Sequence, residues 1–201
     1  MKKTLFLNVI ASTMLLILLP ACWGEGEKCT SCGCHGAATT LEVTEAKSGL
    51  IIANVLDREH FDDCHIKGSI NVPFEEVDKF ITCLEEKYGS KKDEIEIVVY
   101  CSNYMCSASG EAAKKILAKG FTKVRAYEAG MAEWFAAGLP VEGSCKKEYL
   151  TKKMMAPEHE DALAISTQEL AQKFGLELSE AQAQKIEQQA SREEISGEAI
   201  K

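Results

Sequence analysis

The feature that most constrains the fold is the run of apolar and β-branched residues at 95–100, which stops at Cys101. A short run of this kind is typical of a strand that is buried on both faces of a sheet. Residues 107–119 follow with apolar side chains at helical spacing and end at Gly120, which indicates a helix with a glycine stop. The sequence therefore predicts a strand, a six-residue loop (101–106) and a helix in immediate succession.

The same alternation continues on both sides of this unit. Residues 50–55, 69–72 and 123–127 are further short apolar runs, and residues 74–88 and 131–137 have helical periodicity. Strands that alternate with helices predict a mostly parallel sheet with helices on both faces. With 201 residues, the chain is long enough to bury the core of such an α/β domain.

Cys101 is the candidate nucleophile, because ligands of such sheets bind at the carboxyl ends of the strands. A loop that curls into a helix can point backbone N–H groups at its first residue, and the helix N-terminus adds about half a positive charge there. Both effects favour a thiolate, so we expect a lowered pKa for Cys101. Such a thiolate can accept a sulfur atom or attack a phosphorus centre, and a buried structural cysteine is the alternative. The other candidate loop residues are Ser102, Asn103, Tyr104, Met105, Cys106 and Ser107.

Four segments, in order along the chain, carry a resemblance to a known family. They are residues 54–61 (NVLDREHF), 64–73 (CHIKGSINVP), 98–101 (VVYC) with the loop that follows, and 127–141 (YEAGMAEWFAAGLPV). Together they resemble the rhodanese domain of the sulfurtransferases, which we place at residues 38–143. The resemblance implies a five-stranded parallel sheet with helices on both faces, no cofactor, and a first loop cysteine that carries sulfur as a persulfide.

The departures from the family pattern bear on the chemistry. Asn54 and Leu56 stand where the family usually has Asp and Arg, and Cys64 replaces the glycine before the histidine. The loop contains no Lys or Arg, although such a cation would attract a dianionic donor. Phosphatases that resemble this fold clamp phosphate with a loop arginine, where this chain has Ser107. The expected donor is therefore thiosulfate, held weakly by backbone N–H groups, or a polysulfide or persulfide.

Four further cysteines belong to the predicted domain or its edge. Cys106 closes the loop and is either a resolving thiol for Cys101 or a small residue at a helix start. Cys64 is a second candidate resolving thiol if its loop approaches the same rim. Cys83 and Cys145 are expected to be structural, as is His65.

The N-terminus is typical of an exported protein. Residues 1–21 combine two early lysines, a short apolar run and small residues before a cysteine, which predicts a signal peptide. Leu19-Pro20-Ala21-Cys22 resembles the lipobox of bacterial lipoproteins. That resemblance implies lipidation at Cys22 and a membrane anchor on the periplasmic or extracellular side. An uncleaved membrane anchor is the alternative.

A glycine- and cysteine-rich tether is expected at residues 22–37. It places Cys29, Cys32, Cys34 and His35 within seven residues, and thiolates with an imidazole suit zinc or copper(I). No second ligand pair lies at a convincing spacing, so a disulfide or free thiols remain the alternative to a metal site.

Residues 144–201 are polar and are expected to form a helical tail. Capping patterns at Ser166 and Ser179 predict two helices, which we expect to form either a helical hairpin or two solvated helices. The net charge of −8 and the lack of a basic face argue against nucleic acid as a partner.

The sequence as a whole therefore predicts an exported, lipid-anchored sulfurtransferase. Its Cys101 persulfide would pass sulfur from a small donor to a thiol or cyanide acceptor. The alternative is a non-catalytic protein of the same fold that acts as a thiol redox module, a sulfur carrier or a metal-binding lipoprotein.

Overall fold

The computed structural model describes residues 49–151 and 162–190. The predicted signal peptide, Cys22 and the cluster of Cys29, Cys32, Cys34 and His35 lie outside the described residues. In chain order, the elements are β1 (Leu50–Asn54), α1 (Arg58–Asp63), β2 (Cys64–Ile66), β3 (Ile70–Asn71), α2 (Val77–Tyr88), β4 (Glu96–Tyr100), α3 (Ala108–Ala118), β5 (Lys123–Tyr127), α4 (Gly130–Ala136), β6 (Val141–Gly143), α5 (Thr167–Lys173) and α6 (Glu180–Ala190).

The main sheet is parallel, and its strand order is β3-β1-β4-β5. β4 lies between β1 and β5, and Ile97, Val98, Val99 and Tyr100 are fully buried. Because strand side chains alternate between faces, Ile97 and Val99 join one core cluster while Val98 and Tyr100 join the other. The predicted α/β class and the strand–loop–helix order around Cys101 are confirmed.

Helices cover both faces of this sheet. α2 and α3 bury Phe80 and Ile116 against one face, and α4 buries Met131 and Trp134 against the other. The apolar residues of these helices recur at helical spacing in the sequence because each helix packs one side against a face of the sheet.

The predicted five-stranded sheet is wrong in strand number, because the parallel sheet of the described residues has four strands. Beside β5, the edge is occupied by a short segment around Ala164, which forms a single parallel bridge with Ala126. The N–H of Ala126 donates to the Leu163 carbonyl at 2.8 Å, and the N–H of Ile165 donates to the Ala126 carbonyl at 3.0 Å. These bonds protect the sheet edge without forming a strand.

The C-terminal helices begin where the capping patterns predict. The Ser166 and Ser179 side chains accept hydrogen bonds from the N–H groups of Glu169 and Gln182. The alternative of two solvated helices is wrong for their inner faces. The buried residues Leu170, Ala171 and Ile186 belong to the same core cluster as α4. A few apolar residues suffice because they all lie on the side that faces the sheet.

A second, smaller sheet pairs β2 with β6 in antiparallel orientation, and a disulfide joins Cys64 to Cys145 beside it. The Asp63 carboxylate holds the residues on either side of Cys145 next to this disulfide. It accepts hydrogen bonds from the Ser144 hydroxyl at 2.7 Å and from the Lys146 and Lys147 N–H groups at 3.1 and 3.0 Å. Burial by itself would raise the pKa of Asp63, but these hydrogen bonds lower it overall. The structural role expected for Cys145 is therefore supported by its pairing with Cys64.

No helix within residues 49–151 and 162–190 combines the length and apolarity needed to cross a membrane.

The disulfide closes a long loop, since its cysteines are 81 residues apart in sequence. We expect Cys145→Ser to lower the free energy of unfolding by about 2–4 kcal/mol, because the unfolded chain loses this constraint. Denaturant unfolding without reductant measures the change. Cys83→Ser, which removes a cysteine on α2 that forms no disulfide, is the matched control. Equal stabilities of wild type and Cys145→Ser would contradict the pairing.

Candidate functional site

The candidate site lies at the carboxyl end of β4, where the chain leaves the sheet. Cys101 follows the last residue of β4 and is completely buried. Its Sγ atom lies 3.1 Å from the Cys106 carbonyl oxygen and 3.4 Å from the hydroxyl oxygen of Ser109. The structure brings Cys101 and Cys106 together as predicted, since the loop turns back on itself before α3.

Asn103 gives the loop this turn. The Met105 N–H donates to its side-chain oxygen and the Cys106 N–H to its backbone carbonyl, both at 3.0 Å. Asn103 is buried, whereas the Met105 side chain at the tip of the loop is 77% exposed. An asparagine that bonds the backbone two residues further on forms a local turn of its own.

The start of α4 holds the other side of the loop. The Met131 N–H donates to the Cys101 carbonyl and the Ala132 N–H to the Ser102 carbonyl, both at 3.0 Å. Gly130 makes this approach possible, because a Cβ atom there would lie 2.7 Å from the Cys101 carbonyl oxygen. Its φ of 62° also favours glycine.

The two thiols share a hydrogen bond, so they lose their first proton as a pair. The predicted lowered pKa of Cys101 is wrong: its pKa is raised, first by the hydrogen bond to Cys106 and then by burial. The pKa of Cys106 is instead lowered to about 6, mainly because Cys101 donates a hydrogen bond to it. The N–H groups of Ala108 and Ser102 also lower it, whereas burial opposes the shift.

The backbone N–H groups that were expected to point at Cys101 are thus divided between the two sulfurs. Ser109 provides the N–H that favours a Cys101 thiolate, while Ser102 and Ala108 serve Cys106. Cys106 is also the more exposed of the two, being half-buried. The resting charge of the pair therefore lies on Cys106.

Tyr104 connects the loop to the C-terminal helices. Its hydroxyl donates to the Glu133 carboxylate at 3.1 Å, and that carboxylate also accepts a hydrogen bond from Thr167 at the start of α5. Tyr127 and Thr167 are hydrogen bonded at 2.8 Å. Burial raises the pKa of Glu133, and the hydrogen bonds from Thr167 and Tyr104 partly offset this effect.

Ser107, the residue after Cys106, is exposed to solvent. Its hydroxyl donates to the Glu111 carboxylate at 2.6 Å on the exposed surface. The loop therefore presents neither a cation nor a hydroxyl from this position to a bound anion.

The proposal of Cys64 as a second resolving thiol is wrong. Its sulfur is bonded to Cys145, and its side chain packs in the core cluster on the face of the sheet opposite to that of Cys101. His65 is structural, as expected: its ring stacks on Phe61 and its Nδ1 lies 2.8 Å from the Phe61 carbonyl oxygen. The described ranges contain no group of three metal-ligating side chains.

Sequence reasoning missed Ser109, Glu133 and Thr167. Ser109 is a fully buried serine in the first turn of α3, and a polar residue on the inner face of that helix was the available indication. Glu133 interrupts an otherwise apolar short helix. Nothing in the sequence placed Thr167 near it, because the two residues meet only through the tertiary fold.

We expect Gly130→Ala to disturb the loop, because the new Cβ atom would press on the backbone of Cys101 and Ser102. Gly138→Ala is the matched control, since Gly138 also has a positive φ, of 70°, but a Cβ atom there would meet nothing within 4 Å. The strained backbone costs each variant about 1–2 kcal/mol. Denaturant unfolding should show a larger loss for Gly130→Ala, and its thiols should be alkylated at a changed rate. Equal losses and unchanged alkylation would contradict the role of Gly130.

Comparison with known proteins finds similarity for part of the chain. Part of the chain is similar to the HTH-type transcriptional regulator Rv0324 of Mycobacterium tuberculosis, with 30% identity over 91 residues. That match covers 45% of this chain and 37% of the regulator, so the chain spans just over a third of that curated relative's length.

Two solved structures are also similar. The BH2092 protein from Bacillus halodurans is 26% identical, with a TM-score of 0.41 over 51% of this chain and 70% of that chain. The Rhodanese_3 like domain of the Alr3790 protein from Anabaena sp is 27% identical, with a TM-score of 0.39 over 46% of this chain and 98% of that chain.

The family model described as Rhodanese-like domain matches residues 40–137, which include β1 to α4 and the whole Cys101 loop. Residues 40–137 of this chain are therefore a member of the rhodanese-like domain family.

Proposed function

We propose that this protein is a sulfurtransferase in which Cys101 carries a sulfane sulfur from a small donor to a thiol or cyanide acceptor. The observation that carries the proposal is the buried Cys101 thiol at the end of β4, whose Sγ atom lies 3.1 Å from the carbonyl oxygen of a second loop cysteine, Cys106, of lowered pKa. Membership of residues 40–137 in the rhodanese-like family supports the same chemistry.

Activation of Cys101 requires a proton acceptor, because its own pKa is raised in the resting pair. Cys106 provides this acceptor: its thiolate already receives the Cys101 proton in a hydrogen bond. Transfer of that proton gives a Cys101 thiolate and a Cys106 thiol without changing the charge of the loop. The Ser109 N–H and hydroxyl then stabilise the Cys101 thiolate.

Sulfur transfer proceeds by two displacements. The Cys101 thiolate attacks the terminal sulfur of thiosulfate, forms a sulfur–sulfur bond and releases sulfite; with a polysulfide, the shortened chain leaves instead. An acceptor thiolate or cyanide then attacks the outer sulfur of the Cys101 persulfide, and the Cys101 thiolate is regenerated. Since the loop has no Lys or Arg, we expect polysulfide to react faster than thiosulfate, whose sulfonate dianion finds no cation here.

Export to an oxidising compartment with a lipid anchor at Cys22 completes the proposal. The Cys64–Cys145 disulfide supports export, because disulfides persist outside the reducing cytosol. The apolar N-terminal run and the lipobox-like Leu19-Pro20-Ala21-Cys22 support the anchor.

The function is tested by thiocyanate formation from cyanide, with thiosulfate and polysulfide as separate donors. We expect wild type to exceed the uncatalysed rate and Cys101→Ser to fall to that background, because the sulfur carrier is removed. Cys83→Ser should keep the wild-type rate, since this cysteine lies on α2 and is not part of the loop. Background rates with both donors for wild type would overturn the proposal and favour the non-catalytic alternative.

The anchor is tested by membrane fractionation of bacteria that express the full chain. We expect Cys22→Ala to move the protein from the membrane to the soluble fraction, because lipidation requires that sulfur. Cys29→Ala, in the same segment, is the matched control and should remain in the membrane fraction. Membrane retention of Cys22→Ala would contradict lipidation at this residue.

A further inference from the structure

The active-site loop holds a second thiol that sulfur transfer to an outside acceptor does not consume. We propose that Cys106 resolves the Cys101 persulfide, releasing hydrogen sulfide ion and leaving a Cys101–Cys106 disulfide. The inference rests on the proposed function, since it begins from the Cys101 persulfide. It makes the protein a thiol-dependent reductase of sulfane sulfur as well as a sulfur carrier.

The loop geometry brings the two residues into the required contact. The Cys101 sulfur lies 3.1 Å from the Cys106 carbonyl oxygen, so the two cysteines meet across the loop. The Asn103 turn holds Cys106 through its backbone N–H, while the Met131 N–H holds the Cys101 carbonyl. These backbone hydrogen bonds hold both ends of the loop, so that Cys101 and Cys106 are kept close to each other.

The two sulfurs differ in a way that suits the two roles. Cys101 is completely buried, whereas Cys106 is half-buried and next to the N–H groups of Ser102 and Ala108. The buried sulfur keeps the persulfide away from solvent. The more exposed sulfur supplies the attacking thiolate and stays within reach of an outside thiol.

The step balances in atoms, protons and electrons. After the donor has reacted, the proton that Cys106 accepted passes to the outer sulfur of the persulfide, which leaves a Cys106 thiolate. That thiolate attacks the inner sulfur, which is the Cys101 Sγ atom. The new Sγ–Sγ bond forms, the bond to the outer sulfur breaks, and the outer sulfur leaves with its proton as hydrogen sulfide ion. The outer sulfur is reduced and the two cysteines are oxidised, by two electrons in total.

Return to the starting state needs a thiol reductant, which is the co-reactant of this activity. One thiolate attacks the more exposed Cys106 sulfur to form a mixed disulfide, and the Cys101 thiolate leaves. A second thiol, or the second sulfur of a dithiol, releases Cys106. In each turnover, two thiols become one disulfide and one sulfane sulfur becomes sulfide.

The other described cysteines cannot take this role. Cys64 and Cys145 are bonded to each other, and Cys83 lies on α2 rather than in the loop. Ser107, which follows Cys106, is engaged with Glu111. Cys106 is therefore the resolving thiol that the described structure offers to Cys101.

The experiment uses the full chain, with serine at positions 22, 29, 32 and 34 in every variant so that tether thiols do not contribute. Each variant receives one equivalent of thiosulfate or polysulfide without reductant, and free thiols are then alkylated. Because no Lys or Arg lies between 93 and 113, trypsin releases residues 93–114 as one peptide with both cysteines. Its mass distinguishes two alkylated thiols, one added sulfur atom, and an internal disulfide.

We expect the peptide from wild type to end as the internal disulfide, after transient gain of one sulfur atom. In the thiosulfate arm, sulfide should appear in equal amount, because that donor itself releases only sulfite. Cys106→Ser and Cys106→Ala should retain the added sulfur and release no sulfide. Cys83→Ser should behave as wild type.

Two failures are distinguishable. Persistent added sulfur in both wild type and Cys106→Ser, without disulfide, would overturn the resolving role and leave sulfur transfer intact. Absence of added sulfur and of disulfide in every variant, with either donor, would overturn the proposed function itself. Addition of dithiothreitol to oxidised wild type should restore two alkylatable thiols in peptide 93–114, and failure to do so would also overturn the cycle.

Discussion

The site depends on one close approach between two backbones, at the first residues of the loop and the start of α4. The N–H groups of Met131 and Ala132 have no partner within their own helix, and the carbonyls of Cys101 and Ser102 satisfy them. Only a residue without Cβ fits at position 130, since the loop backbone lies within 3 Å of the place a Cβ would take. This contact fixes the loop between β4 and both neighbouring helices, so that Cys101 and Cys106 meet at the carboxyl end of the sheet.

The C-terminal helices extend the same arrangement beyond the family domain. Thr167, at the start of α5, and Tyr104, in the loop, bind the same carboxylate, which belongs to Glu133 on α4. Leu170 and Ile186 are buried in the core cluster that contains Trp134. The described residues after the disulfide therefore cover part of one face of the sheet and also restrain the loop that contains Cys101 and Cys106.

Local sequence patterns predicted the elements that depend on local physics. A β-branched run, a helix period and a terminal glycine were enough for β4, Cys101 and α3. Features that depend on distant partners were not predictable in this way. The Cys64–Cys145 pairing, the edge segment around Ala164 and the burial of Leu170 each join residues that lie far apart in the chain. The pKa of Cys101 was predicted wrongly because the helix effect was applied to this thiol alone, whereas two thiols share the N–H groups.

In the proposed mechanism, the proton shared by Cys101 and Cys106 allows sulfur transfer without a cation in the loop. In the resting pair, the charge lies on Cys106, the more exposed sulfur, where it would repel an approaching anionic donor. In the proposed mechanism, the proton that activates Cys101 moves to Cys106, so the sulfur nearer to solvent becomes neutral as the buried sulfur becomes nucleophilic. Ser109 compensates the buried charge through its N–H and hydroxyl. An arginine in the loop would attract the donor, but it would also hold a Cys106 thiolate in an ion pair and oppose this proton transfer. The absence of a loop cation and the presence of the second thiol are therefore consistent parts of one mechanism.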